Sequence, residues 1–192
     1  MKTFLLILLL LISQSAFAQE EDKLNLVFSS PDKSCVLRYK GADRGIGGYY
    51  HILENGEKPI YKGYFRYGPI VNWISNKVAE LRIPSGSPNY NSYFYNCESK
   101  KLSPEYMLPI ASDAAHGVVA TLDLETIIFY KLFTETIIYK MHVPHLEPMG
   151  FLVFCEPKAR FEPNGTFVLE YKCPHQQIKK ITIKKEEISG QR

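Results

Sequence analysis

Between Asp113 and Val143 the chain reads DAAHGVVATLDLETIIFYKLFTETIIYKMHV, the stretch that most narrows what it can fold into. Three apolar, β-branched runs, 118–122, 126–133 and 136–143, are separated only by Asp123-Leu124-Glu125 and by Thr134-Glu135. Runs of that length joined by connections that short are antiparallel strands in a meander. A helix is disfavoured, because Ile127-Ile128 and Ile137-Ile138 give no 3.6-residue stripe and β-branched pairs lose rotamer freedom in helices. Strand alternation sends Ile128, Tyr130 and Leu132 to one face and Ile127, Phe129 and Lys131 to the other. Both faces carry large apolar groups, so this sheet is expected to be an inner one.

The rest of the chain reads in the same way. Strands are predicted at 24–28, 34–39, 49–53, 59–67, 70–74, 77–83, 93–97, 150–155, 166–172 and 178–184, with Asn55-Gly56 and Asn164-Gly165 as turn pairs. The segment 98–108 is polar, with prolines at 104 and 109, so no long helix is expected there, and 156–162 reads as a connection. No segment past the amino terminus carries a convincing amphipathic helix. The expectation is an all-β single domain of about ten to twelve antiparallel strands in meanders, a sandwich, an open barrel or a small propeller-like array. A small polar turn followed by an apolar strand recurs before Val78, Val118 and Phe167, at spacings of 118 − 78 = 40 and 167 − 118 = 49 residues. That is near the length of one propeller blade.

The amino terminus has its own signature. Lys2, an apolar run at 4–12 and the sequence Ala16-Phe17-Ala18 make a secretory signal peptide over residues 1–18, with the mature domain at 19–192. The apolar run is too short to span a bilayer, which takes about 20 residues, so no membrane insertion is expected after cleavage. Removing residues 1–18 takes away one Lys and no acid, leaving a formal charge of 23 − 1 − 20 = +2. That balance argues against nucleic acid as a partner. Lys179, Lys180, Lys184 and Lys185 read as the solvated face of an edge strand.

An exported chain meets an oxidising compartment, periplasmic or extracellular, so Cys35, Cys97, Cys155 and Cys173 are expected to form two disulfides. Cys155 and Cys173 each end an apolar run and are expected to pair, leaving Cys35 with Cys97.

Motifs that carry chemistry are sparse. Residues 41–50 hold a glycine-rich loop without the Lys-Ser/Thr of a phosphate-binding loop. Ser112, Asp113 and His116 are the residue types of a hydrolase triad, but triads converge from distant segments, and Asp113 reads better as the acceptor of an Asx-type turn. His142 and His145, with Glu147 beside them, straddle Pro144 and read as a surface connection rather than a metal site. No catalytic residue, metal or cofactor is predicted. What stands out is aromatic: Tyr49, Tyr50, Tyr61, Tyr64, Tyr67, Trp73, Tyr90, Tyr93 and Tyr95 crowd the amino-terminal half. With Phe94 in the core, alternation would turn Tyr93 and Tyr95 outward, and exposed Tyr and Trp are what binding faces use. The sequence therefore points to a non-enzymatic, disulfide-stabilised exported protein that binds another protein, with the expected role of a periplasmic inhibitor or an immunity-type protein against a toxin. A hydrolase acting on cell-wall glycan and a carbohydrate-binding module are the other readings.

Overall fold

The computed structural model describes residues 24–41, 48–55, 58–65, 70–86, 89–144, 146, 156–172 and 178–190. They form four antiparallel sheets and a single helical turn in an open, sandwich-like all-β fold. The first sheet holds β1 (Leu24–Ser29), β2 (Val36–Gly41), β3 (Gly48–Glu54) and β4 (Lys58–Phe65). The second holds β5 (Ile70–Trp73), β6 (Val78–Gly86), β7 (Asn89–Asn96) and β8 (Lys101–Leu102), with β9 (Tyr106–Met107) also paired to β7. The third holds the three strands predicted from the central stretch, β11 (Val118–Asp123), β12 (Thr126–Lys131) and β13 (Ile137–His142), preceded by a fourth at its edge, β10 (Pro109–Asp113). The fourth holds β14 (Glu156–Phe161), β15 (Phe167–Lys172) and β16 (Lys179–Ile183), followed by α1 (Lys185–Ile188). Every ladder except that of β7 with β9 joins strands consecutive in sequence.

The sheets stack in chain order because strand alternation supplies each inner one with two apolar faces. Leu37, Tyr39 and Ile52 of the first sheet meet Ala79, Leu81, Ile83 and Tyr95 of the second. From the opposite face of the second, Val78 and Phe94, with Tyr106, meet Val119 and Leu132 of the third. The other face of the third sheet presents Ala120, Leu122, Ile127 and Phe129 to Phe167, Leu169, Tyr171 and Ile183 of the fourth. The expected two-sided burial of the central sheet is therefore observed. Phe129 and Phe167 meet edge to face with centroids 5.0 Å apart and planes at 85°, the arrangement aromatic quadrupoles favour.

The repeat extends further than the sequence reading placed it. Val36, Val78, Val118 and Phe167 each open the second strand of a sheet, and the first interval, 78 − 36 = 42, lies between the other two, 40 and 49. Ahead of each strand a short polar side chain accepts backbone N–H groups. Asp32 Oδ1 takes Ser34 at 3.1 Å, Ser75 Oγ takes Lys77 and Val78 at 3.2 and 3.0 Å, Asp113 Oδ1 takes Ala115 and His116 at 3.0 Å each, and Asn164 Oδ1 takes Thr166 at 3.0 Å. Such side chains satisfy turn amides that the ladder leaves over.

Besides the short β8 and β9, which fall where no strand was expected, two edge segments differ from the sequence reading. Residues 156–161, read as a connection, are β14, and Pro109 opens β10. Both are edge strands, where proline's missing N–H breaks no ladder bond. The predicted strand at 150–155 and the Cys155–Cys173 pair lie outside the described residues.

Candidate functional site

Of the aromatic residues expected to form a binding face, those whose side chains are described, Tyr61, Trp73, Tyr90, Tyr93 and Tyr95, are all buried or partly buried. Phe94 and Tyr95 are 0% and 1% exposed, so both faces of β7 are buried and the outward placement of Tyr95 is corrected. Alternation was right, but a sheet lay on each side. Tyr61, Trp73 and Tyr93 are partly buried against the core between the first and second sheets, and the Tyr61 and Tyr93 rings lie 4.9 Å apart. Burial first, and then the proximity of Tyr61 and Glu105, raises the Tyr93 pKa. Burial, with the Glu54 carboxylate close by, does the same for Tyr95. Tyr90 donates to the Pro109 carbonyl at 2.6 Å, and the Arg82 guanidinium sits 4.1 Å above its ring. Arg82 in turn reaches the buried Glu80 carboxylate at 3.2 Å, and Ser92 donates to that carboxylate at 2.6 Å. This network latches the second sheet to the third. Tyr49 and Tyr50 fall on β3 and Tyr64 on β4, while Tyr67 lies outside the described residues.

Cys35 and Cys97 form the expected disulfide, with Cα atoms 6.3 Å apart, consistent with an oxidising compartment. It ties the turn before β2 to the end of β7, and Lys100 pairs with the buried Glu54 carboxylate across the same two sheets. Glu54 lies beside both sulfurs, making the one potential metal-ligating trio among the described residues. Sulfurs joined to each other offer no thiolate to an ion.

Asp113 and His116 are joined more closely than a turn requires. Asp113 Oδ2 lies 2.7 Å from His116 Nδ1 while its other oxygen caps the turn. The imidazole lies over Gly165, where an added Cβ would stand 3.2 Å from His116 Nδ1 and 3.1 Å from Lys185 Cδ. The pair thus packs the third sheet onto the turn before β15. His142 is exposed, with Nε2 3.8 Å from Glu125; His145 and Glu147 lie outside the described residues.

Free apolar surface gathers elsewhere. A groove of about 540 Å3 runs between β9 and the face of the third sheet turned toward the second. Thr121, Ile128 and Tyr130 line it from the sheet, Tyr106 and Leu108 from the β9 side. Met107, Leu124 and Ile137 also line it, at 70%, 70% and 44% exposure. Large apolar side chains left in water cost hydration free energy that a partner can recover. Two of the lining leucines also hold left-handed backbone, Leu108 at φ 45° and Leu124 at φ 50°. A Cβ makes that region unfavourable by about 1–2 kcal/mol, and such strain gathers at functional sites.

No family model matches the chain, and no curated protein does.

The groove was not legible in the sequence because its walls come from 105–108, 121–130 and 135–137. One local signal existed. Asp123-Leu124-Glu125 puts a leucine at a hairpin tip, where glycine or asparagine is the usual residue.

Proposed function

We propose that this chain is an exported, disulfide-stabilised, non-enzymatic protein that binds another protein of the cell envelope or extracellular space, as an inhibitor or an immunity-type protector does. The convergence of Met107, Leu124 and Ile137 on one groove carries the reading. Exposed apolar groups that share a concave surface, rather than lying scattered, are the usual mark of a binding site. The groove is taken as the binding face in preference to the aromatic strands, on which Tyr61, Trp73 and Tyr93 are partly buried against the core.

Capture from envelope extract with the wild-type protein and with Leu124→Asp/Ile137→Asp tests this directly. Both side chains are exposed, so the variant keeps its fold by circular dichroism, and it is expected to lose a partner that the wild type retains. A variant that holds every wild-type partner overturns the reading.

The Asp113–His116 contact supports a second reading, a hydrolase in which Asp113 orients the imidazole. Loss of peptidoglycan or glycan hydrolysis on His116→Ala would favour it. Retention of whatever hydrolysis the wild type shows would remove it.

A further inference from the structure

The partner's chemistry can be taken further, on the reading just given. Three carboxylates line the groove, Glu105 beside β9, Asp123 at the end of β11 and Glu135 before β13, and no lysine, arginine or histidine does. The whole chain carries 23 basic residues against 20 acidic ones, so a lining of one sign is not its average surface. Glu105 accepts a hydrogen bond from Asn91 Nδ2 at 2.6 Å. Asp123 and Glu135 make no ion pair or side-chain hydrogen bond to any described residue, so their charge is not cancelled locally. The Tyr106 hydroxyl donates to the Thr134 carbonyl at 2.8 Å, which leaves its ring rather than its polar tip as lining.

Apolar walls hold a lower dielectric than water and concentrate the field of charges at their rim. A ligand entering this groove must therefore offer apolar groups to Met107, Leu124 and Ile137 and positive charge to Asp123 and Glu135. An anionic ligand is repelled, and a polar uncharged one leaves the apolar walls wet. We infer that the groove receives a short cationic segment of a partner protein, in which one or two apolar anchors are flanked by lysine or arginine. The anchors supply affinity by burial, and the flanking cations supply orientation and encounter rate.

The test uses the full protein with its disulfide intact and three labelled synthetic peptides, followed by fluorescence anisotropy. One peptide alternates leucine with lysine, one replaces lysine by glutamate, and one replaces leucine by serine. The leucine–lysine peptide is expected to bind, and more weakly as salt is raised. Asp123→Asn/Glu135→Gln is expected to weaken it by about tenfold or more, since each lost charge pair contributes on the order of a few-fold at a partly exposed site. Leu124→Asn is expected to weaken it without changing the salt dependence.

Both charged positions are exposed, and neither pairs with a described residue, so an unchanged thermal midpoint separates loss of binding from loss of fold. Equal binding of the lysine and glutamate peptides overturns the cationic partner while leaving an apolar docking groove. Failure of all three peptides also overturns it, and the envelope capture with Leu124→Asp/Ile137→Asp then reports separately on the groove itself.

Discussion

Leu124 brings two demands into conflict. At φ 50° and 70% exposed, it is unfavourable both for its backbone and for its contact with water. Asparagine tolerates left-handed backbone, so Leu124→Asn is expected to raise stability by about 1 kcal/mol in urea unfolding while weakening groove binding. A substitution that stabilises and also leaves binding intact would show that Leu124 has no role in recognition. Gly165 is the converse case. At φ +81°, with His116 and Lys185 within 3.3 Å of where a Cβ would stand, Gly165→Ala is expected to cost more than about 1 kcal/mol. Tyr106 adds a dependence on pH. Burial raises its phenol from 10.0 to about 12, so the folded state keeps a proton that the unfolded chain releases. That contribution to stability is fully present below pH 10 and is lost as pH rises through about 12. Tyr106→Phe is expected to lower stability near neutral pH by about 1 kcal/mol, for the hydrogen bond to Thr134, and to shrink the alkaline loss. An alkaline loss equal in the two proteins would assign it to other groups.

At the scale of elements, strands rich in β-branched residues were readable, and the proline-bearing edge strands β10 and β14 were not. VVATLD and TIIFYK announce β11 and β12 from composition alone, because β-branched residues fit a pleated, buried surface. EPKARF of β14 did not, since Pro157 and three charged residues look like a connection. Yet Ala159 and Phe161 pack inward while Lys158 and Arg160 stay exposed, the alternation of an edge strand with one solvated face. The placement of Tyr95 failed for a related reason. Alternation gives two faces, but only tertiary packing says whether the second is covered, and here Phe94 faces the third sheet while Tyr95 faces the first. The bridge from Cys35 to Cys97 spans 62 residues, and chain entropy assigns closure of a loop that long about 4 kcal/mol. Cys35→Ala/Cys97→Ala is expected to lose stability of that order in urea unfolding. A loss under about 1 kcal/mol would mean that sheet packing alone already fixes the two turns.

Across the whole molecule, stability should follow the stacking order. The second and third sheets are covered on two faces, so their amides are expected to exchange with solvent more slowly than those of β1 or β14 at the outer edges. Uniform protection over all four sheets would indicate that the protein opens only globally. Phe129 lies where the third and fourth sheets meet and touches Tyr139, Phe161 and Phe167. Phe129→Ala is expected to cost about 3–5 kcal/mol, and a much smaller loss would mean that the two sheets close over the cavity. Since nearly every ladder joins neighbours in sequence, assembly has a direction in time. A chain emerging amino end first can close its first sheet once β4 is out, before any later strand is available. Leu37, Tyr39 and Ile52 then wait uncovered until β6 and β7 arrive, and Cys35 waits for Cys97. Each sheet in turn is a sticky, unfinished surface until the next one follows, so the pace of delivery relative to folding governs how long that surface stays open to misassembly.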